Sequence, residues 1–237
     1  MEKEYKLNVV LDLDNTIINA LSIDDRRKLP IEYSKKFKYY DYIPFFRIFA
    51  RPHLNEFLEY LFANYNVAVM TAAEKDYALF IIEKFILTKP DRHLEFIFFR
   101  HHVDIAEELF GGMKDLRVIW ETFRVNNFYP SNTIIIDDLD LVAQTNPNNT
   151  IRINPFFIVD EESGEINLEA AEDNELNIVM EELEFLKSHF DSQIYKWINR
   201  SLMDFTEKDL SKKTIGTDVE VDKSKSYSPS QTLKSEN

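Results

Sequence analysis

Leu11-Asp12-Leu13-Asp14-Asn15-Thr16 follows directly on the apolar run Leu7, Val9 and Val10. Two aspartates two residues apart therefore close what reads as a buried strand, and strand alternation sends both to the same side where the strand opens into a loop. Like charges so placed repel, hold one proton, or bind a cation between them. A turn closed by Asx hydrogen bonds uses the same residues and needs no ion. A hard divalent ion, Mg²⁺ first among them, would resolve the conflict. The hexapeptide alone leaves both readings open.

Outward from it, residues 51–65 (RPHLNEFLEYLFANY) carry Leu54, Phe57, Leu58, Leu61 and Phe62 at helical spacing, with Pro52 placed for a first turn. A second strand-like run, Asn66, Val67, Ala68, Val69 and Met70, ends at Thr71. A third, Thr133, Ile134, Ile135 and Ile136, is β-branched without polar alternation, as a central parallel strand should be, and ends in Asp137 and Asp138. In an open parallel α/β sheet the ligand site lies beyond the carboxyl ends of the strands, so these termini can meet in one crevice. Lys114, in GGMKDL at 111–116, supplies a cation for an anionic substrate there.

The order Asp-x-Asp-x-Thr, then Thr, then Lys, then Asp-Asp resembles the haloacid-dehalogenase superfamily of phosphotransferases. The words between are similar to the phosphatase domain that acts on the C-terminal repeats of RNA polymerase II, also called the NLI-interacting-factor domain. These are RPHLNEFLEYL, TAAEKDYA with Thr71, Lys75, Tyr77 and Ala78, then FFRHH, KDL and IDD. The resemblance covers roughly residues 7–187, and an ordered set of words is far more specific than any one of them. It implies a Rossmann-like parallel sheet flanked by helices, with a small β-hairpin insertion.

The resemblance also implies roles. Asp12 would be the nucleophile that forms an aspartyl-phosphate, and Asp14 the general acid and then base. Mg²⁺ would be held by the Asp12 carboxylate, the Asp14 main-chain carbonyl and the Asp138 carboxylate. Thr71 would donate to a phosphoryl oxygen, Lys114 would neutralise the aspartyl-phosphate and orient Asp12, and Arg100, in FFRHH, would help hold the phosphate. The implied activity is Mg²⁺-dependent hydrolysis of phosphoserine or phosphothreonine on a protein, with the polymerase repeats among the substrates. A catalytically silent phosphopeptide- or protein-binding protein on the same fold is the alternative, and a small-molecule or polynucleotide-end phosphatase a third. Three departures stand out. Asn15 replaces the family's usual Glu, Leu139-Asp140 replaces Ser-Pro behind the Asp-Asp word, and Glu74 stands where small relatives have an apolar residue lining a pocket for a substrate proline.

Composition bounds the rest. The chain has 237 residues, 44% of them hydrophobic, enough for one α/β core, and we expect a catalytic domain over 1–207 with its insertion at about 20–50 and a disordered tail over 208–237. The absence of cysteine removes a thiol nucleophile. A net charge of −14 argues against tight binding to nucleic-acid backbones. No apolar run approaches a membrane span and the polar start is no signal peptide, so a soluble, intracellular protein of nucleus or cytoplasm is expected. Oligomeric state is not legible.

The insertion carries the basic cluster at 26–28, then KYYDYI and FFRIFA around Pro44, which suggests a hairpin over the site. Tyr39, Tyr42, Phe45 and Phe46 suit either local core or peptide contact. The acids between 160 and 184 read as the solvated face of one or two helices. Leu176, Val179, Met180, Leu183 and Leu186 form a stripe that packs on the sheet, and a further helix is expected over 192–205. His53, His93, His101, His102 and His189 lack the spacing of a zinc site and read as surface or structural.

Overall fold

The central strand β1 (Asn8–Leu11) is buried along its whole length, and its alternation divides the core. Val9 and Leu11 enter one apolar cluster and Val10 another. The computed structural model describes residues 6–26, 29–160 and 163–189. From β1 the chain enters an antiparallel unit of β2 (Ile18–Ser22), β3 (Tyr39–Tyr42) and β4 (Phe46–Ala50), with the short helices α1 (Ile23–Arg26) and α2 (Ile31–Ser34) between β2 and β3. Helix α3 (Leu54–Asn64) leads into β5 (Asn66–Met70), α4 (Lys75–Ile81) with a π-helical turn behind it, β6 (Ile97–Phe98) and α5 (Arg100–Phe110). The remainder is β7 (Thr133–Asp137), α6 (Asp140–Thr145), β8 (Thr150–Arg152), a 3-10 turn over Leu168–Glu172 and α7 (Glu175–His189).

Strands β6-β5-β1-β7-β8 make one sheet in which every pairing is parallel. The chain runs from β1 outward to β5 and β6, then returns to the other side for β7 and β8. That reversal opens a crevice beside β1 at the carboxyl ends. Leu11 stands level with Val69 on β5 and Ile136 on β7, so Asp12, Thr71 and the Asp137-Asp138 pair emerge together. On one face Leu11, Val69 and Ile136 pack with Phe57, Leu58 and Leu61 of α3 and with Leu176, Val179 and Leu183 of α7. On the other, Val10, Ala68, Met70 and Ile135 meet Val103 and Ala106 of α5 and Val142 of α6. Both faces are covered, which is why these strands show no polar alternation.

The insertion holds the expected hairpin and extends it by one strand. KYYDYI and FFRIFA do form β3 and β4, but β2 adds a third strand in the order β2-β4-β3. The chain pairs as soon as it leaves the first motif, with Ile18 opposite Ala50 and Ser22 opposite Phe46. Helix α3 begins at Leu54 behind His53, which takes a left-handed φ of 63, so Pro52 precedes the helix and does not occupy its first turn. The α7 stripe packs as expected, and Tyr65 donates its hydroxyl to the Leu183 carbonyl at 2.8 Å. The described acids of 160–184 are exposed or half-buried, and Asp173 among them pairs with buried Arg51. The expected helix at 192–205, the tail and the side chains of the basic cluster at 26–28 lie outside the described residues. No described helix is long and apolar enough to cross a membrane.

Candidate active site

Lys114 is the centre of the site. Its ammonium sits 2.6 Å from Asp12 Oδ1 and 2.6 Å from Asp137 Oδ2, with all three side chains at most 5% exposed. The segment that delivers it is tightly held. Asn146, following α6, donates to the Lys114 carbonyl at 3.1 Å and accepts the Leu116 N–H at 2.9 Å. Gly112 lies so close to α6 that a Cβ there would meet the Thr145 methyl at 2.4 Å. Lys114 itself has φ 49, a left-handed backbone that costs an ordinary side chain about 1 kcal/mol and persists where surrounding structure enforces it. Burial pulls the Lys114 ammonium toward neutrality, but Asp12 and Asp137 outweigh it and hold the charge.

The acids around it divide by partner. Among the described residues, Asp12, Asp137 and Asp138 offer carboxylate oxygens that all lie within 4.8 Å of one another. Asp12 and Asp138 of the expected set are in this group, Asp137 joins them, and the Asp14 carboxylate lies outside it, its expected ligand atom being the main-chain carbonyl. Asp137 is nevertheless occupied, with Oδ2 on Lys114 and Oδ1 accepting the Leu139 N–H at 2.9 Å. Asp12 Oδ2 and Asp138 Oδ1 instead share the Thr16 hydroxyl at 3.4 and 3.3 Å. Burial, then Asp137, pushes the Asp138 carboxyl up to about 6, and burial pushes Asp12 up against the pull of Lys114. An all-oxygen, carboxylate-rich set short of positive charge is the donor chemistry of a hard divalent cation.

Asp14 belongs to a separate microenvironment. The loop that presents it turns at Asn15, whose φ of 56 suits asparagine and whose side chain accepts from Asn19 at 3.0 Å. Tyr77 of α4 donates to Asp14 Oδ1 at 2.7 Å. Burial raises the Asp14 carboxyl above the usual range, and the Tyr77 hydrogen bond works against that rise. A carboxyl whose protonated form burial favours, with one oxygen fixed, can pass a proton from the other.

Thr71 is buried at the end of β5, its Oγ1 accepting the Ala73 N–H at 3.1 Å. Asp12, Asp14, Thr71, Lys114 and Asp138 line one crevice of about 680 Å³. Arg100, at the start of α5, reaches its edge, 3.5 Å from Glu74 and half exposed. Tyr42 and Phe46 of the antiparallel unit form another wall, with Tyr77 5.6 and 5.8 Å from their rings. Tyr39, by contrast, packs against Phe49 with the two rings tilted by 50°. No histidine joins the acidic group among the described residues; His102 stacks on Phe98 and accepts the Phe99 N–H. The sequence reading missed Asp137 as the second partner of Lys114, Thr16 as the bridging hydroxyl, and Tyr77 as the partner of Asp14. It also missed Arg51, buried behind the loop, which donates to the Thr16 carbonyl at 3.0 Å and is gripped through two bonds by Asp173.

Comparison with known proteins agrees with this geometry. The family model for NLI interacting factor-like phosphatases matches residues 7–193. The CTD phosphatase-like protein 355R of Invertebrate iridescent virus 3 is 39% identical over 166 residues, covering 66% of this chain and 88% of that protein. Its counterpart in Invertebrate iridescent virus 6 is 38% identical, covering 66% and 89%. Among solved structures, Fcp1, an essential RNA polymerase II CTD phosphatase, superposes with a TM-score of 0.56 at 17% identity, over 89% of this chain and 66% of that one. The fission yeast Fcp1 variant R271A bound to beryllium fluoride gives 0.59 at 16%, over 84% and 67%. These last two show the shared fold. With the family model spanning nearly all the described residues, the chain belongs to the NLI interacting factor-like phosphatases, on the haloacid-dehalogenase fold.

Proposed function

We propose that this protein is a Mg²⁺-dependent phosphatase of phosphoserine or phosphothreonine in proteins, working through an aspartyl-phosphate on Asp12. The observation that carries the reading is Lys114, a buried cation fixed at 2.6 Å from the carboxylate that would attack. Phosphoryl transfer is catalysed chiefly by positioning and charge stabilisation, and a desolvated ammonium at the nucleophile supplies both.

In the first step the Asp12 carboxylate attacks phosphorus in line. The P–O bond to the serine or threonine breaks as the bond to Asp12 forms, and the leaving alkoxide takes the Asp14 proton. In the second, Asp14 accepts a proton from water as the water oxygen attacks phosphorus, releasing inorganic phosphate and restoring Asp12. Tyr77, bound to Asp14 Oδ1, leaves Oδ2 for both transfers. Thr71 and Arg100 would hold phosphoryl oxygens. Mg²⁺ would be held by the Asp12 and Asp138 carboxylates and the Asp14 main-chain carbonyl, where it supplies positive charge to the phosphoryl group.

A crevice of about 680 Å³ at the carboxyl end of the sheet, walled by Tyr42, Phe46 and Tyr77, has room for a protruding phosphorylated side chain, which supports a protein substrate. At its rim the tip of the β3-β4 hairpin presents Ile43 at 80% and Phe45 at 47% exposure, apolar surface of the kind that meets a partner. Since Fcp1 is a phosphatase of the RNA polymerase II CTD, that repeat belongs among the phosphopeptides to be tried. The test is phosphate release from an aryl phosphate and from phosphopeptides, with Mg²⁺ or EDTA, for wild type beside Asp12→Asn and Asp14→Asn. Activity lost in both variants and in EDTA supports the mechanism. A folded wild type without metal-dependent turnover on any of them refutes it and turns attention to binding.

A further inference from the structure

We propose that the crevice selects phosphoserine or phosphothreonine flanked by a cationic side chain, arginine or lysine, and that Glu74 is the residue that reads this charge. The inference rests on the phosphatase reading and adds the substrate's chemistry to it.

The crevice presents a charge problem that the machinery alone leaves unsolved. Asp12, Asp14 and Asp138 are answered by Lys114 and by the Mg²⁺ of the proposed mechanism, but Glu74 and Asp76 line it as well, with Arg100 the remaining lining cation. A phosphorylated side chain brings close to two further negative charges. Lys114 is already committed to Asp12 and Asp137. Arg100 shares a 3.5 Å contact with Glu74, and that pair is loose, with the Arg100 side chain 46% and the Glu74 side chain 79% exposed. A phosphate that draws Arg100 inward leaves Glu74 at the mouth without its counter-charge. A cation on the substrate fills that vacancy, while an acidic neighbour meets both Glu74 and Asp76.

The wall beside Glu74 suits the rest of such a side chain. Tyr42, Phe46 and Tyr77 line the same crevice as Glu74 and Asp76, and their rings contact one another at 5.6 and 5.8 Å. Aromatic faces next to a carboxylate accept the alkyl stem and charged head of arginine or lysine together. Glu74 is singled out over the other acids because Asp12, Asp14 and Asp138 serve the chemistry and because Glu74 is the acid in contact with Arg100.

The experiment is a panel of phosphoserine peptides with an alanine background, carrying Arg, Lys, Gln or Glu at each of the two positions on either side. Turnover is read as kcat/KM at low salt. Binding of the same peptides to the Asp12→Asn protein is read by fluorescence anisotropy, independently of turnover. At the preferred position Arg or Lys should exceed Gln by roughly fivefold, the size of a half-exposed ion pair, with Glu below Gln. The ratio should shrink as salt rises from about 50 to 500 mM. Glu74→Gln should bring Arg and Gln peptides together, and Glu74→Lys should reverse the order. Arg and Gln peptides equal at every position, or a preference that survives Glu74→Gln, overturns the proposal. Hydrolysis without charge ranking removes this inference and leaves the phosphatase reading; ranked binding without hydrolysis does the reverse.

Discussion

The site should destabilise the protein that carries it, and Asp138→Asn exposes the effect. Burial and the neighbouring Asp137 push the Asp138 carboxyl from its ordinary 3.8 to about 6. Ionised Asp138 is therefore disfavoured in the folded state without metal, by about 3 kcal/mol at pH 7. Because the folded value is the higher one, the stability linked to this group is fully present below pH 3.8 and lost as pH rises through 6. Asparagine keeps the shape and can still accept from Thr16, so the substitution should recover up to about 3 kcal/mol in metal-free protein. For a chain of this length that is a rise in Tm of roughly 5–10 °C. The assay is thermal unfolding of wild type and variant in EDTA from pH 4.5 to 7.5, followed by Mg²⁺ titration. Taking the difference between the two proteins isolates Asp138 from every other titrating group. The gap should be about 1 kcal/mol at pH 4.5, widen to about 3 kcal/mol by pH 7, and close or reverse in saturating Mg²⁺, which stabilises only a protein that binds it. A variant no more stable than wild type in EDTA at pH 7.5, or a gap independent of pH, refutes the electrostatic account.

Lys114→Met should reduce kcat by at least about 100-fold and destabilise the fold by about 3–5 kcal/mol, since it leaves Asp12 and Asp137 facing each other in the interior; steady-state kinetics and denaturant melts on the same preparation check both. Tyr77→Phe removes a hydrogen bond that favours ionised Asp14, so the alkaline limb of kcat/KM, which reports loss of the acid, should move up by about one pH unit. Arg51→Met and Asp173→Asn should each be destabilising, the second more so because it strands a guanidinium whose side chain is 0% exposed whereas Asp173 keeps 16% exposure. The double variant Arg51→Met with Asp173→Asn should lose less than the two single changes together, and additive losses in this double-mutant cycle would contradict the pairing.

The parts of this architecture that the sequence disclosed are those in which one segment states its own environment. Strands β1, β5 and β7 are apolar on both faces because both faces are covered, so their runs and their polar ends stand out without knowledge of a partner. What stayed hidden depends on pairing at a distance. Strand β2 is only Ile18 to Ser22, too short to show a period, and exists because β4 begins 24 residues later. Arg51 before Pro52 resembles any surface arginine, and the carboxylate that permits its burial comes 122 residues downstream. The Asp-Asp word is the instructive case, since two identical residues give no cue to their different duties. Strand alternation nevertheless separates them. Ile134 and Ile136 pack toward α3 and α7, while Ile135 packs with Leu116 on the other face, and Asp137, two residues beyond Ile135, continues that side. The segment bearing Lys114 comes from there, so Asp137 takes the ammonium and Asp138, turned the other way past the strand end, shares the Thr16 hydroxyl with Asp12. Period two thus decides which aspartate is locked in an ion pair and which is left to meet a cation. It predicts that Asp137→Asn and Asp138→Asn, one residue apart, fail differently, the first by loosening Lys114 and the second by losing Mg²⁺-dependent stabilisation.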